Sequence, residues 1–185
     1  MTAAFSFRRM TADDLPQLWR WLQEPHVREH YDDGHRTLDA VRDYYGDAIA
    51  GREPTLCYVG AVDGADVAYL QTYRVDAYAD YASALRAAGA PIADGDASVD
   101  MLIGSPAHVG RGLGAALLAA FIADVVWPVV GAHACWIGPS AANARAIRAY
   151  ERAGFRFVVD AAVPGEPEPE HVMRLTRPPA SPAAR

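Results

Sequence analysis

The chain contains no lysine, because all 17 of its basic residues are arginine. A protein without lysine cannot form a side-chain Schiff base, hold pyridoxal phosphate covalently or supply the lysine of a nucleotide-binding P-loop, so these three mechanisms are excluded. The 23 acidic residues outnumber the basic ones and leave a net charge of -6. This balance disfavours a nucleic-acid partner and favours cationic ones.

Cysteine and long apolar runs are also scarce. The two cysteines, Cys57 and Cys135, lie in apolar runs typical of small buried side chains, so no disulfide framework is expected. The six histidines lack metal-ligand spacing, and no metal site is predicted. The chain does not begin with a basic segment followed by an apolar one, and its longest apolar run, 113–123, is shorter than the ~20 residues that span a bilayer. We expect a cytoplasmic protein without membrane contact.

The length of 185 residues suits one domain, which we assign to 1–177, with a flexible tail at 178–185. Strands and helices mostly alternate, and Asp63-Gly64 marks one hairpin, which together predict a mixed α/β sheet. We predict a long loop at 76–97 with one helical turn near 81–88. The predicted strands are 5–10, 55–62, 67–75, 98–103, 132–137, 155–159 and 171–176, and the predicted helices begin near Leu15 and Thr37 or cover 111–126 and 143–153.

A glycine-rich segment, 108–114 (His-Val-Gly-Arg-Gly-Leu-Gly), lies between a predicted strand and a predicted helix. Glycines let backbone N–H groups approach an anion, and the positive end of the helix dipole adds to the attraction. The segment suits a pyrophosphate, although ordinary turn chemistry explains it equally well when it is taken alone. It is not a dinucleotide fingerprint, because it opens the fourth strand–helix step.

A second segment, 143–155, places an amide and a phenol on one helix face. Asn143, Ile147 and Tyr150 recur at positions i, i+4 and i+7, and Gly154 ends the helix. Taken alone, this pattern also suits a surface helix whose tyrosine is only a packing residue.

Together, segments 109–114 and 143–155 resemble the acetyl-CoA binding core of the GNAT N-acetyltransferase superfamily. The resemblance implies an α/β fold with a mixed, mostly antiparallel central sheet, helices on both faces, and splayed central strands at 98–103 and 132–137. It further implies that loop amides hold the pyrophosphate of coenzyme A, that pantetheine lies between the splayed strands, and that Tyr150 faces the thioester sulfur. The implied cofactor contacts are Met101, Leu102, Ile103, Val109, Gly110, Arg111, Gly112, Leu113, Gly114 and Asn143. Many family members have Gln or Arg where this chain has Val109, a change we expect to be tolerated because the contact is through the backbone.

Over nearly the whole chain, the sequence is similar to aminoglycoside 6'-N-acetyltransferases and to their relatives that acylate siderophore precursors. Segments 21–27, 68–73 and 99–104 carry this similarity. It implies that Asp100 lies next to the reacting amine and that Asp80 is a second acid of the substrate loop. At Gly138 the aminoglycoside enzymes have an aspartate, which this chain lacks. The expected substrate contacts are Gln71, Tyr73, Asp80, Asp100, Glu166 and Glu168.

The chemistry of acyl transfer to a protonated amine calls for three groups, which remove a proton, stabilise an oxyanion and reprotonate a thiolate. Asp100 interrupts an apolar strand, so we expect it to face a polar cavity and to bind or deprotonate the ammonium; the alternative is a structural acid paired with an arginine. A backbone N–H of Leu102 or Ile103 is the candidate oxyanion donor. Tyr150 is the candidate general acid.

The remaining acids cluster in predicted loops, where each is usually only solvated. Several that converge on one cleft would instead bind a polycation. These acids are Asp32, Asp33, Asp80, Asp94, Asp96, Glu166, Glu168 and Glu170.

The sequence therefore favours an acetyl-CoA dependent N-acetyltransferase, monomeric or homodimeric, that acts on a small polycationic amine, an aminoglycoside in the first place. A siderophore-precursor acyltransferase is the alternative enzyme, favoured by the missing acid at Gly138. A non-catalytic coenzyme A binding module is a third possibility, but binding alone requires neither Asp100 nor Tyr150.

Overall fold

The computed structural model describes residues 3–31 and 36–179. A seven-stranded sheet has the order β1-β2-β3-β4-β5-β7-β6, and its neighbouring strands are antiparallel except for β4 and β5. The strands are β1 (Phe5–Arg9), β2 (Leu56–Val62), β3 (Ala65–Arg74), β4 (Ala97–Ile103), β5 (Ala134–Ile137), β6 (Arg156–Ala161) and β7 (Glu170–Thr176). The predicted mixed, mostly antiparallel sheet is confirmed, and so is the hairpin at Asp63-Gly64.

Helices cover both faces of this sheet. They are α1 (Leu15–Gln23), α2 (Pro25–Arg28), α3 (Leu38–Ile49), α4 (Ala79–Ala87), α5 (Leu113–Phe121) and α6 (Ala144–Arg152), with 3-10 turns at Ala12–Asp14, Val75–Ala77 and Pro106–His108. Alternation along β2 shows the two faces: Tyr58 packs with α5, whereas Cys57 and Val59 pack with α1 and α3. Burial raises the pKa of the Cys57 thiol, as expected for a core cysteine.

The observed helices differ from the predicted ones in three places. The loop at 76–97 contains the helix α4, because Ala82 and Leu85 bury one face of an alanine-rich segment. A short helix, α2, follows α1 directly, since Pro25 is well suited to a first helical position. The helix predicted at 111–126 begins only at Leu113, because Gly112 has a left-handed backbone with φ of 74°.

The same helix continues beyond α5 as a π-helix, Ile122–Val130. The helical stretch Leu113–Val130 is therefore long and apolar enough, by length and composition, to cross a membrane. Its buried side chains, including Leu117, Phe121 and Val126, belong to the main hydrophobic core, so we interpret it as the core helix of this fold. A cytoplasmic location stays a prediction, and the end of the predicted tail, 180–185, lies outside the described residues.

The splayed strands are confirmed. β4 and β5 run parallel and pair at two positions, Ala97 with Cys135 and Ser98 with Trp136. Beyond them no further pairing between these strands occurs in the described part of the chain. The last five residues of β4, 99–103, therefore pair with β3 on one side and border a gap on the other.

The closed end of this gap depends on Asp96, which the sequence placed among loop acids. Asp96 is 2% exposed, and its Oδ2 accepts hydrogen bonds from Trp136 Nε1 at 2.8 Å and from the Ala93 backbone at 3.1 Å. Trp136 is fully buried and pairs with Ser98 at the end where β4 and β5 are still hydrogen-bonded. Asp96 is thus a structural acid that satisfies an indole and a loop amide.

We predict that Asp96→Ala lowers the free energy of unfolding by about 1–3 kcal/mol, because it leaves the buried indole N–H of Trp136 without its acceptor. Asp94→Ala is the matched control, since the Asp94 side chain is 93% exposed and its ion pair with Arg86 is long, at 3.7 Å. The change in the free energy of unfolding should stay within about 0.5 kcal/mol. Urea denaturation at neutral pH measures both. Equal losses in the two variants would contradict the structural role.

Candidate active site

The gap between β4 and β5 opens into a cleft with a volume of about 1330 Å³. Its walls come from β4, the glycine loop before α5, one face of α6 and the segment that leads into β7. Most of the predicted site residues line it: Gln71, Tyr73, Asp100, Met101, Leu102, Ile103, Gly110, Gly112, Leu113, Gly114, Asn143, Tyr150, Glu166 and Glu168. The fold therefore brings two distant sequence segments, 109–114 and 143–155, to one cavity.

Three predicted residues do not line this cleft. Val109 and Arg111 alternate with the two lining glycines, and Arg111 is exposed. Asp80 is exposed in the first turn of α4 and lines a smaller depression that shares Tyr81 and Val163 with the cleft. Asp32 and Asp33 lie outside the described residues.

The glycine loop has the geometry of an anion cradle. Gly110 and Gly112 have φ of 77° and 74°, in the left-handed region that favours glycine. No heavy atom lies within 4 Å of a Cβ built on either residue, so the loop surface is open. Gly112 caps α5, and the first residues of that helix, Leu113 and Gly114, line the cleft. The first N–H groups of a helix have no partner within it, so they are available to an anion.

The backbone of β4 distinguishes between the two candidate oxyanion donors. Gly104 N–H donates to Val67 O on β3 at 2.9 Å. Since backbone groups alternate direction along a strand, Leu102 also points to β3, whereas Ile103 points into the gap. His26 Nε2 donates to Ile103 O on that side at 2.8 Å. The N–H of Ile103, rather than that of Leu102, is thus the donor that faces the cleft.

Asp100 is a half-buried carboxylate in the wall of the cleft. Gln71, directly opposite it on β3, donates through Nε2 to Asp100 Oδ2 at 2.7 Å, and Tyr69 Oη donates to Gln71 Oε1 at 2.6 Å. Burial raises the pKa of Asp100, the negative charge of Glu166 adds to the rise, and the Gln71 hydrogen bond opposes it. Among the described residues Asp100 forms no ion pair, so the alternative of a structural acid held by an arginine is wrong.

Tyr150 is the buried residue of α6, and it lines the same cleft. The Asn143 side chain caps this helix by accepting from Ala146 N at 3.0 Å, and the Phe155 ring lies 6.3 Å from the Tyr150 ring. Burial raises the pKa of Tyr150 well above its usual value, and the charge of Asp100 adds to the rise. The phenol therefore keeps its proton at neutral pH and can serve as a donor, not as a base.

Glu170 is a cleft residue that sequence analysis did not select as a site. It begins β7 instead of lying in a loop, and Tyr81 Oη donates to its Oε2 at 3.0 Å. Burial raises the pKa of Glu170 to about 8, with further contributions from the charges of Asp100 and Glu166, against the lowering effect of the Tyr81 hydrogen bond. No local pattern marked it, because it stands with two other glutamates in 166–170, Glu166 and Glu168, which are both exposed.

Two further residues, Trp21 and His26, support the far end of β4. The Trp21 indole packs against Gly104 so closely that any Cβ at that position would overlap the ring. His26 holds the Ile103 carbonyl, as described above. Both belong to segment 21–27, which the sequence singled out only by its similarity to the acetyltransferases. Within 3–31 and 36–179, His, Cys, Asp and Glu form no group of three or more that could hold a metal ion.

Comparison with known proteins agrees with this geometry. Residues 10–162 match the family described as acetyltransferase (GNAT) domain. Aminoglycoside N(6')-acetyltransferase type 1 from Klebsiella pneumoniae is 27% identical over 163 residues, which cover 81% of this chain and 73% of that protein.

Solved structures of similar proteins show the same fold. The aminoglycoside acetyltransferase AAC(6')-Ib, in complex with coenzyme A and kanamycin, has a TM-score of 0.79 and 27% identity over 94% of this chain and 95% of that chain. Its complex with ribostamycin and coenzyme A gives a TM-score of 0.80 and 26% identity over 94% of each chain. Because the family match spans most of the sequence and includes both the glycine loop and the helix of Tyr150, this chain belongs to the GNAT acetyltransferase family.

Proposed function

We propose that the protein is an acetyl-CoA dependent N-acetyltransferase that transfers an acetyl group to a primary amine of a small polycation, the 6'-amine of an aminoglycoside. The observation that carries this proposal is Asp100: a half-buried carboxylate without a cationic partner among the described residues, in one cleft with Tyr150 and next to the gap between β4 and β5. An acid in that position suits a cationic amine. The relatives described above support both substrates, since their structures contain coenzyme A with kanamycin or ribostamycin.

The residues present fit coenzyme A. The open glycine loop and the first turn of α5 would hold its pyrophosphate, and the gap beside β4 would hold the pantetheine arm. When bound, acetyl-CoA supplies a thioester carbonyl to the attacking amine.

Asp100 and Tyr150 then carry out the proton transfers of the reaction. Asp100 binds the ammonium form of the acceptor and takes a proton from it, so that the nitrogen lone pair is free to attack; its raised pKa makes it a better base than an ordinary aspartate. The N–H of Ile103 donates to the acyl oxygen as negative charge develops there. Tyr150 gives its proton to the departing sulfur as the C–S bond breaks, and the phenolate takes up, through solvent, the second proton that the nitrogen loses as the amide forms.

The two other readings receive less support. A coenzyme A binding module would need neither Asp100 nor Tyr150 in the cleft, yet both line it. The siderophore alternative depended on the acid missing at Gly138, but the cleft has another acid, Glu170. Thiol release from acetyl-CoA, measured across aminoglycosides, spermidine and N-hydroxylysine, tests the proposal: turnover confined to N-hydroxylysine would overturn the aminoglycoside assignment.

We predict that Asp100→Asn lowers kcat/KM for a cationic acceptor by about 10²- to 10⁴-fold, because the amide keeps the shape but neither takes a proton nor attracts an ammonium. The affinity for acetyl-CoA should be unchanged. The raised pKa means that the folded state disfavours ionised Asp100, so at neutral pH the variant should unfold at the same or a higher temperature. Early melting with normal turnover per folded molecule would contradict the catalytic role.

We predict that Tyr150→Phe lowers kcat by about 10- to 10⁴-fold, since the general acid is lost while the ring still packs. Binding of acetyl-CoA, followed by calorimetry, should hardly change. Tyr78→Phe is a control that also removes a partly buried phenol, one whose hydroxyl hydrogen-bonds Thr55 and which does not line the cleft. Unchanged turnover in Tyr150→Phe would remove this residue from the mechanism.

We predict that Gly112→Val weakens acetyl-CoA binding at least about 10-fold, because a β-branched residue resists a positive φ and would cover the loop amides. Gly51→Val is the matched control: Gly51 has a φ of 72° and open space around it, but it lies outside the cleft. Both variants should lose similar stability, while calorimetry should show weaker binding only for Gly112→Val. Normal affinity in folded Gly112→Val would contradict the anion cradle.

A further inference from the structure

The space beside Gly138 is occupied by another residue of the cleft. A Cβ built on Gly138 would overlap the Glu170 carboxylate at both Oε2 and Cδ. The backbone of Gly138 does not have a positive φ, so conformation alone does not require glycine there. The Glu170 carboxylate occupies the space that a side chain at position 138 would enter, so a larger residue there must displace it.

Glu170 is also held from the opposite side. Tyr81, on α4, donates to Glu170 Oε2, and the backbone of Glu170 pairs with Ala161 in β6 and forms a bridge with Ser140. The Tyr81 hydrogen bond orients the carboxylate beside Gly138. Glu170 lines the same cleft as Asp100, and no described cation pairs with it.

We propose that Glu170 is an acceptor-binding residue that contacts a second cationic amine of the substrate and thereby selects acceptors with more than one positive charge. The inference rests on the proposed function, because it assigns this role within the same cleft. Asp100 handles the reacting nitrogen, and Glu170 binds a neighbouring one. Gly138 permits this position of Glu170, since the absence of a side chain at residue 138 leaves room for the carboxylate.

The electrostatics of the cleft favour such a ligand. Asp100 and Glu166 act on Glu170 with negative charge, and the groups near it, Tyr81 and Tyr73, are phenols that burial keeps neutral. At pH 7.5 an empty cleft therefore keeps Glu170 largely protonated, given its pKa of about 8. A bound ammonium favours the carboxylate, so binding of the acceptor should release this proton.

The test compares two acceptors, kanamycin and 6-amino-6-deoxyglucose, which carries a single amine. Binding to the complex with coenzyme A is measured by calorimetry, and acetyl transfer is measured separately. Glu170→Gln should weaken kanamycin binding about 10- to 100-fold, the usual effect of losing a charge-assisted hydrogen bond, and should change binding of the monoamine by less than about 3-fold. It should also abolish part of the proton release, seen as a smaller dependence of the binding heat on buffer ionisation.

Gly138→Ala provides an independent variant, because its Cβ displaces the carboxylate without removing it. It should also weaken kanamycin binding selectively, and the double variant Gly138→Ala/Glu170→Gln should be no worse than Glu170→Gln alone. Melting temperatures confirm that each variant is folded.

Equal losses for both acceptors, or an unchanged preference for kanamycin, would overturn the role of Glu170. Wild-type protein that binds kanamycin but does not acetylate it would overturn the proposed function and leave the Glu170 comparison valid. Wild-type protein that binds neither acceptor would overturn both proposals.

Discussion

The separation of β4 from β5 is the constraint on which the rest of the structure depends. Two adjacent parallel strands would normally continue to hydrogen-bond, and such pairing would consume the backbone groups that face the gap. Here the pairing stops after Ser98 and Trp136. Buried hydrogen bonds concentrate at the closed end, where Trp136 Nε1 donates to Asp96, Ser98 Oγ to Trp136 O, and Thr72 Oγ1 to Ser98 O. The strands are thus anchored where they meet, and they diverge beyond that point.

The open end of β4 needs support from other elements, because it lacks a partner on one side. β3 provides the pairing, while Trp21 and His26 hold Gly104 and Ile103 from the side of α1 and α2. This arrangement fixes the strand without filling the gap. The glycine loop and α6 also line the cavity, and α6 contributes Tyr150.

The cleft collects negative charge in a partly buried space, which costs free energy in the absence of a ligand. Burial raises the pKa of both Asp100 and Glu170, the charge of Asp100 adds to the rise at Glu170, and the tyrosines around them are neutral. Gln71 and Tyr81 supply the nearby hydrogen bonds, which steady the carboxylates without neutralising them. Under the proposed function, a cationic amine would remove this cost on binding, which is the physical basis of the affinity and selectivity for polycations that we propose.

The sequence by itself determined the class of the protein and most of its site. Hydrophobic alternation, the Asp63-Gly64 turn and the two motif segments predicted a mixed sheet, the glycine loop and the helix of Tyr150, because these are local patterns with a local physical cause. Only the tertiary structure decided which of the acidic residues line the cleft. Asp96, Asp80 and Glu170 all stood among predicted loop acids, yet one supports an indole in the core, one faces solvent and one enters the cleft. Likewise, comparison by sequence similarity shows only that Gly138 replaces an aspartate. The fold shows that the carboxylate of Glu170, 32 positions later in the chain, occupies the space beside Gly138. Whether one residue occupies the space of another depends on contacts between distant segments, and local sequence patterns carry no information about such contacts.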